Sequence, residues 1–392
     1  MAYSDAFNRV LSCIPMSGET QIRWENLEKT KLGPLFGMMS AVEQNPEYHA
    51  EGNVYIHTRC VCEELIKLEE YRNGTAQDKT VLFLAALLHD IGKIACTKIE
   101  DGAIVSPYHS SKGALMAREL LWREFGLCGS EEKQQLREAV CLLVRYHGFP
   151  PYVIYEKNPE YKILRVACVG SVAGAFSLKK LGVLCMADAF GRKCAGENTY
   201  PEAVEYYTQA VEALGCADAP YPFSSDYSQR AYFAKKTAWR DQELFNSTWG
   251  RVIMLSGLPG TGKDTWIARN CPDLPVISLD EIRRELNVSP VEPQGKVINL
   301  AQNRARALLG KKQPFVLNMT NLTEEIRSKW ISLVELYGAG VETVFLETEW
   351  EEELRRNANR NAVVPQSVIK GMLSRLEIPK PFECEKVRWV IT

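Results

Sequence analysis

The spacing of apolar residues follows one pattern up to about residue 200. Before this point, apolar positions recur every three or four residues, which is typical of α-helices that pack one face on a core. Val81, Leu84 and Leu88 are one example of this spacing. The pattern predicts helices over 53–71, 78–96, 111–125, 130–147 and, in two pieces, 164–192. The first part of the chain is therefore expected to be an all-α domain.

The last part of the chain alternates between short apolar runs and helical segments. The apolar runs predict strands at 252–255, 276–279, 315–317, 344–346 and 389–391. Such alternation indicates an α/β domain with a mostly parallel sheet and helices on both faces. Between the two parts the periodicity stops, and prolines and serines accumulate, which predicts a linker or a strap. The predicted organisation is an all-α domain at 1–215, a linker at 216–249 and an α/β domain at 250–392.

Length and composition agree with two soluble domains. A chain of 392 residues is too long for one core, and 46% hydrophobic and 24% charged residues are ordinary for globular proteins. The net charge of −2 argues against strong non-specific binding of nucleic acid, so any such contact is expected to be local. The start lacks a signal peptide, and no long apolar run occurs, which predicts a cytoplasmic protein without a membrane partner. The 12 cysteines have no zinc or redox spacing, so reduced thiols are expected.

A glycine-rich loop follows the first predicted strand of the α/β domain and leads into a predicted helix. Its glycines allow successive backbone N–H groups to point at a phosphate, and its lysine can reach the β- and γ-phosphates. The loop is therefore expected to bind ATP or another nucleoside triphosphate together with Mg²⁺. The predicted nucleotide-binding residues are Gly257, Gly260, Thr261, Gly262, Lys263, Asp264 and Thr265.

Asp264 is the irregular residue of this loop, because Ser or Thr usually follows the lysine and binds Mg²⁺. A carboxylate beside a triphosphate is repulsive unless a cation lies between them. We therefore expect Asp264 to contact Mg²⁺, either directly or through water.

Phosphoryl transfer also needs a base at the acceptor hydroxyl and cations around the migrating group. Asp280 ends the second predicted strand of this domain and can serve as the base, and Arg283, one turn later, can hold an anion. Asp280 is equally suited to cap the helix that follows, and the two roles are compatible. Arg356 and Arg360 are spaced to share one helical face, which is typical of a solvated surface but also supplies two cations.

The histidines form a spaced series with two aspartates in the all-α domain. A single histidine on an apolar helix is more often a core residue than a ligand, but six positions in order favour a metal centre. Imidazoles and carboxylates suit divalent Mn, Fe, Co, Ni or Zn. The predicted metal ligands are His57, His89, Asp90, His109, His147 and Asp188.

Four further polar residues accompany this series. Lys93 can neutralise a phosphate oxygen, or it can be a solvated cation at a helix end. Arg145 and Arg192 are expected on the surface unless they face the metals. His49 is better suited to a structural role at a helix entry than to ligation.

The segments around these residues closely resemble the HD phosphohydrolase superfamily, and especially the HD modules fused to bacterial tRNA nucleotidyltransferases. The resembling segments are 49–58, 87–93, 109–113, 145–147 and 187–192. The resemblance implies that His57, His89, Asp90 and Asp188 hold one metal, and that His109 and His147 serve a second ion bridged by Asp90. Two such cations would polarise a phosphate and generate a hydroxide nucleophile.

The α/β domain resembles the 5′-OH polynucleotide kinase family. The similar stretches are GLPGTGKDTW, LDEIRR, NMTNL, RRNANR and VPQSVIKGMLSRLEIP. The resemblance implies that Lys263 binds the phosphates, that Asp280 is the general base on a 5′-hydroxyl and that Arg283 holds the acceptor's phosphate. It also implies that Arg356 and Arg360 form a lid. Asp264 departs from the family pattern at the magnesium ligand.

The order of the two domains is similar to that of the bacterial HD-polynucleotide kinase end-healing enzymes. It implies phosphorylation of a 5′-OH RNA or DNA end and removal of a 3′-phosphate, 2′-phosphate or 2′,3′-cyclic phosphate. The products would be ends that a nucleic acid ligase can seal. Two alternatives stay open. One is a small-molecule kinase fused to a nucleotide phosphohydrolase, and the other is a nucleotide-gated regulator with a degenerate HD fold.

Overall fold

The computed structural model describes residues 3–16, 18–235, 237, 239–360 and 362–392. The chain forms two compact units, Met1–Tyr221 and Pro222–Thr392, called here the N-terminal and C-terminal units. The first is helical, and the second contains a five-stranded parallel sheet, which confirms the predicted fold class. In the described part of the chain, no helix combines the length and apolar character needed to cross a membrane.

The N-terminal unit contains twelve α-helices and one small hairpin among its described residues. The helices are α1 Asp5–Leu11, α2 Trp24–Glu28, α3 Gly33–Ser40, α4 Val54–Leu65, α5 Glu69–Asn73, α6 Ala76–Leu88, α7 Lys93–Cys96, α8 His109–Glu119, α9 Glu131–Tyr146, α10 Pro159–Gly170, α11 Leu178–Gly191 and α12 Tyr200–Ala213. The antiparallel hairpin consists of β1 Lys98–Glu100 and β2 Ala103–Val105. A π-helical turn spans Leu120–Glu124, and a 3₁₀-helix spans Pro150–Tyr155.

Four helices, α4, α6, α9 and α11, pack against one another and form the centre of this unit. Helix α6 is buried from Lys79 to Leu88, because almost every residue in this stretch is apolar. Its start is fixed by a capping box between Thr75 and Asp78, in which each side chain accepts a hydrogen bond from the other's backbone N–H. These helices carry most of the candidate metal ligands.

The helix predicted at 78–96 is interrupted between α6 and α7. The break brings this segment very close to the start of α8, since a Cβ on Gly92 would lie 2.0 Å from the His109 carbonyl oxygen. Only glycine fits such an approach. Gly92 therefore allows Asp90 and His109 to lie close together. The hairpin β1–β2 and the helices α1, α2, α3 and α12 were not predicted from the sequence.

The C-terminal unit consists of a parallel sheet and seven helices among its described residues. The helices are α13 Asp226–Phe233, α14 Lys263–Asn270, α15 Leu279–Leu286, α16 Gly295–Gly310, α17 Glu324–Leu336, α18 Trp350–Ala358 and α19 Gln366–Leu373. The strands are β3 Arg251–Ser256, β4 Val276–Ser278, β5 Val316–Asn318, β6 Gly340–Glu347 and β7 Lys386–Ile391.

The strand order is β4-β5-β3-β6-β7, and every neighbouring pair is parallel. Strand β3 is therefore central, and the glycine-rich loop leaves the middle of the sheet at its carboxyl edge. The ends of β4 and β5 reach the same edge. Ligands of open α/β sheets bind at this edge.

The chain divides inside the segment for which the sequence predicts a linker. Most of that segment belongs to the C-terminal unit and contains α13. The ring of Phe233 packs on Phe382, with 5.0 Å between centroids, and Trp249 Nε1 donates to the Tyr337 carbonyl oxygen at 2.8 Å. These two contacts attach the segment to the rest of the C-terminal unit, which begins at Pro222. The sequence did not indicate them, because the segment lacks a helical period.

Candidate active sites

The six predicted metal ligands converge at the centre of the N-terminal unit. Each comes from one of the central helices or from the start of α8, and five of the six are buried. His57 lies in α4, His89 and Asp90 follow α6, His109 begins α8, His147 follows α9, and Asp188 lies in α11. The side chains form two groups that could each hold a metal ion, namely His57, His89 and Asp188, and Asp90, His109 and His147.

Asp90 lies between the two groups. Its Oδ2 is 3.3 Å from His89 Nε2 and 3.7 Å from His57 Nε2. Its Oδ1 is 3.5 Å from His109 Nε2 and 3.6 Å from His147 Nε2. One oxygen thus faces each group, which is the arrangement that a bridging carboxylate requires.

Hydrogen bonds from Nδ1 to backbone carbonyl oxygens orient three of the four histidine rings. Nδ1 of three of them lies 2.8 Å from the carbonyl oxygen three residues earlier, in the pairs His89–Ala86, His109–Ser106 and His147–Val144. Because a carbonyl only accepts, Nδ1 carries the proton and Nε2 presents a lone pair to the cluster.

The facing lone pairs are close enough to require a cation between them. The Nε2 atoms of His57 and His89 are 3.3 Å apart, as are those of His109 and His147. Asp188 Oδ1 lies 3.0 Å from His57 Nε2. Lone pairs at this distance repel unless a proton or metal ion intervenes. The donor set of nitrogens and carboxylate oxygens fits divalent transition metals.

The carboxylates of the cluster are held in their charged form. Burial alone would raise the pKa of Asp90, but Lys93 and His89 lower it well below its usual value. Asp188 is affected in the same way, with Arg192 as the principal cation. Burial lowers the pKa of His109 to about 4, although Asp90 opposes this change. The pKa of His89 is raised instead, because the effect of burial is outweighed by Asp90 and Asp188. Charged carboxylates and the neutral imidazole of His109 are forms that bind metals.

Lys93 and Arg192 both contact ligand carboxylates. Lys93 is buried, and its Nζ lies 2.6 Å from Asp90 Oδ2 and donates to Gln44 Oε1 at 2.6 Å. It is therefore not a solvated helix-end cation. Arg192 donates to Asp188 at 2.7 Å and lies over the ring of Tyr200.

Arg145 differs from Arg192, because its side chain is exposed and lies over the ring of Tyr146. The structure therefore brings only one of these two arginines to the candidate metal ligands.

Glu51 is a residue of this site that sequence reasoning missed. Its Oε1 lies 2.7 Å from His57 Nδ1 and 2.9 Å from His49 Nδ1, and Lys193 N donates to Oε2 at 3.0 Å. His57 is thus the one predicted histidine ligand whose Nδ1 faces a carboxylate instead of a carbonyl. The available signal was an acidic residue six positions before His57, between two histidines. Nothing in the sequence indicated Gln44.

Substitution of Glu51 by glutamine is expected to weaken metal binding. A carboxylate behind a metal-bound imidazole orients the ring and makes it more basic, and its loss typically costs about 10-fold or more in affinity. We expect about a 10-fold rise in the Kd for Co²⁺ or Mn²⁺, measured by titration of metal-free protein. Glu43→Gln makes the same charge change at an exposed glutamate and serves as the control. An unchanged Kd in a folded Glu51→Gln protein would show that Glu51 does not position His57.

The second candidate site is the glycine-rich loop between β3 and α14. Gly257, Gly260 and Gly262 have φ angles of 142°, 91° and 77°, which favour glycine. A Cβ on Gly260 would also lie 2.7 Å from the carbonyl oxygen of Glu353. The loop therefore requires its glycines, and its N–H groups precede a helix that begins at Lys263.

Lys263 is held across this loop. Its Nζ donates to the carbonyl oxygens of Gly257 at 2.9 Å and Leu258 at 2.7 Å. Burial and the Arg360 guanidinium lower the pKa of Lys263 to about 8, so the ammonium is mostly charged at neutral pH. Thr261 Oγ1 donates to the Leu258 carbonyl oxygen, and this hydrogen bond stabilises the conformation of the loop.

Asp264 and Thr265 are exposed beside the loop at the start of α14. Asp264 Oδ1 accepts a hydrogen bond of 2.6 Å from Asn318 Nδ2, at the end of β5. This bond directs the carboxylate to the sheet edge at which the loop opens. The irregular residue of the motif is therefore part of the site.

Asp280 lies at the same edge, but it neither ends β4 nor caps α15. Strand β4 ends at Ser278, whose hydroxyl oxygen accepts from Glu281 N and caps the helix. The predicted capping role was therefore wrong, and the Asp280 side chain, 67% exposed, is available for other contacts. Its Oδ1 accepts from Arg283 Nη1 at 2.6 Å, and its Oδ2 lies 3.7 Å from Arg360 Nη2.

Arg356 and Arg360 do not share a helical face, because α18 ends at Ala358. Arg356 donates to Glu352 at 2.6 Å and to the Thr392 hydroxyl at 3.1 Å. Arg360 instead lies near Asp280. The two arginines therefore reach different parts of the site.

Glu353 was also missed, because nothing distinguishes it within the acidic run of α18. It is fully buried beside the loop, and neither carboxyl oxygen has a hydrogen-bond partner among the described residues. Burial raises its pKa to about 8, although Lys263 opposes this change. Glu353 is therefore mostly neutral at pH 7.

Comparison with known proteins identifies both domains. An HD domain model matches residues 54–169, which include five of the six candidate ligands and leave Asp188 outside. An AAA domain model matches residues 252–379, which contain the loop, Asp280, Arg356 and Arg360. The structure of a gluconokinase from Sinorhizobium meliloti 1021 is similar at 22% identity, over 35% of this chain and 80% of that chain, with a TM-score of 0.27. The chain therefore has a segment similar to HD domains followed by a segment similar to AAA domains.

Proposed function

We propose that the protein is a bifunctional nucleic acid end-healing enzyme. Its C-terminal unit would phosphorylate 5′-OH ends of RNA or DNA with a nucleoside triphosphate. Its N-terminal unit would remove a 3′-phosphate, 2′-phosphate or 2′,3′-cyclic phosphate. The observation that carries the proposal is the exposed Asp280 carboxylate with Arg283 and Arg360 beside it, at the edge where the glycine-rich loop opens.

This arrangement suits an acceptor that carries a hydroxyl and an anionic group of its own. Asp280 would take the proton of the 5′-hydroxyl. The hydroxyl oxygen would form a bond to the γ-phosphorus as the bond between the γ-phosphorus and the oxygen bridging to the β-phosphate breaks. Arg283 would hold the phosphate that follows the terminal nucleoside. A polynucleotide 5′ end has both features, whereas a neutral sugar or nucleoside has only the hydroxyl.

Lys263 and the arginines of the lid would bind the donor. Lys263 would exchange its two loop carbonyls for the β- and γ-phosphates, and Arg356 and Arg360 would offset charge on the migrating group. Mg²⁺, held by Asp264 directly or through water, would offset the remaining phosphate charge.

The metal centre would act on the other end of the nucleic acid. His57, His89 and Asp188 would hold one ion, His109 and His147 the second, and Asp90 would bridge them. Two divalent transition metals in these groups would polarise a phosphate and supply a hydroxide at neutral pH. Lys93 would orient Asp90 and offset negative charge on the bound phosphate. The healed ends would then suit a ligase.

Asp264→Ala is expected to increase the Mg²⁺ requirement of the kinase. Loss of the carboxylate removes a ligand that Asn318 holds at the sheet edge. We expect a rate at least about 10-fold lower at limiting Mg²⁺, partly restored by excess Mg²⁺, in a titration at fixed ATP. Asp273→Ala, an exposed aspartate of the same unit, is the control. A normal rate with an unchanged Mg²⁺ requirement would contradict the assigned role.

Competition between acceptors tests the proposed substrate. Labelled ATP is incubated with a 5′-OH oligonucleotide, free nucleosides and sugars in one mixture, and the products are separated. We expect label almost entirely on the oligonucleotide. Transfer to nucleosides or sugars instead would identify a small-molecule kinase, and no transfer to any acceptor would favour a nucleotide-gated regulator.

A further inference from the structure

The metal cluster is open to solvent at only one of its ligands. The side chains of Asp90, His57, His89, His147 and Asp188 are each at most 3% exposed, whereas that of His109 is 27% exposed. His109 is the first residue of α8. A substrate phosphate would therefore reach the cluster at the start of this helix.

Tyr108 flanks this opening. It directly precedes His109, and the residue is 83% exposed. Its backbone is left-handed, with φ 59° and ψ 16°, a conformation that glycine adopts without the cost that a tyrosine incurs. A tyrosine at this position therefore contributes little to the stability of the fold, because its side chain is exposed and its backbone conformation favours glycine.

A cation lies one turn further along the same helix. Lys112 N donates to the Tyr108 carbonyl oxygen at 3.0 Å, and this bond links the first turn of α8 to the residue that precedes the helix. The Lys112 side chain is exposed. The opening therefore presents an aromatic ring and an ammonium group, the pair that binds the base and the backbone phosphate of single-stranded nucleic acid.

We propose that Tyr108 forms a stacking platform for the terminal nucleobase of a nucleic acid end whose phosphate occupies the metal cluster. Lys112 binds the preceding backbone phosphate. This inference rests on the proposed function, because it assumes that the substrate of the N-terminal unit carries a base. Stacking on a tyrosine tolerates all bases, so the platform selects a nucleotide end without reading its sequence.

Two variants and two substrates test the platform. The variants are Tyr108→Gly, which suits the left-handed backbone, and Tyr108→Phe, which keeps the aromatic face. The substrates are a 3′-phosphorylated oligonucleotide and the same oligonucleotide with an abasic terminal nucleotide. Asp101→Gly, at an exposed position of the β1–β2 turn with φ 51°, is the matched control for glycine at a left-handed site.

For Tyr108→Gly we expect an unchanged or higher Tm, a KM for the intact oligonucleotide raised about 10-fold and kcat within about twofold of wild type. Tyr108→Phe and Asp101→Gly should resemble wild type. On the abasic substrate, wild type and Tyr108→Gly should have the same KM.

Two results would overturn the platform. One is an unchanged KM for the intact oligonucleotide in Tyr108→Gly, and the other is an equal loss on both substrates. Either result leaves the proposed end-healing function in place, because phosphate is still released. If wild type releases no phosphate from either oligonucleotide, the proposed function of the N-terminal unit fails, and the platform fails with it.

Discussion

Lys263→Ala is expected to abolish phosphoryl transfer to 5′ ends and to leave hydrolysis at the other end unchanged. The ammonium group is held across the glycine-rich loop by two carbonyl oxygens, and it is mostly charged at neutral pH. Removal of one well-placed charge from a phosphoryl-transfer site costs at least about 100-fold in rate. The measurement is transfer of labelled phosphate from ATP to a 5′-OH oligonucleotide.

Lys311→Ala, an exposed lysine of the same unit, is the matched control and should keep full kinase activity. Release of 3′-phosphate by the Lys263→Ala protein is measured in parallel, because the metal cluster lies in the other unit. Loss of both activities would contradict two independent sites.

Asp90→Asn is expected to abolish phosphate release from 3′ ends and to spare the kinase. Asp90 directs one oxygen to each group of candidate ligands, so its charge would affect an ion bound in either group. We expect a rate at least about 100-fold lower, together with a lower content of bound metal in elemental analysis. The kinase rate of the same protein should be unchanged.

The substitution also leaves the buried ammonium of Lys93 without its charged partner, which can destabilise the N-terminal unit. A second variant, His109→Ala, removes a ligand at the opening of the cluster without leaving a buried charge unpaired. It should lose phosphate release with little change in Tm. Asp218→Ala changes an exposed aspartate of the same unit and should be normal. Full phosphate release in folded His109→Ala and Asp90→Asn proteins would exclude the cluster as the active site.

Local sequence patterns predicted the fold class because the first unit repeats a helical spacing and the second alternates short apolar runs with helical segments. The helical spacing predicted α4, α6, α9 and α11, and the alternation predicted all five strands of the sheet. The patterns failed where neighbouring residues compete for one role. Ser278 caps α15 although Asp280 is also a good cap, since only the geometry decides which side chain meets the free N–H groups.

The candidate ligands were visible because six residues of suitable chemistry occur in order. Their supporting contacts were not visible, because they join residues far apart in the chain. Gln44 meets Lys93 and Asp264 meets Asn318 only after folding. Glu353 is buried while its neighbour Glu352 binds two arginines, although the two glutamates are adjacent and alike in sequence. Burial of a side chain within a charged run depends on packing, which no local pattern records.

A single oligonucleotide with a 5′-OH and a 3′-phosphate tests the proposed function most directly. It is incubated with ATP, Mg²⁺ and each of Mn²⁺, Co²⁺, Ni²⁺ and Zn²⁺ in turn, and both ends are analysed. We expect a 5′-phosphate that depends on ATP and Mg²⁺, and loss of the 3′-phosphate that depends on a transition metal. An oligonucleotide with both ends unchanged under every condition, while ATP still phosphorylates a small hydroxyl compound, would contradict an end-healing enzyme.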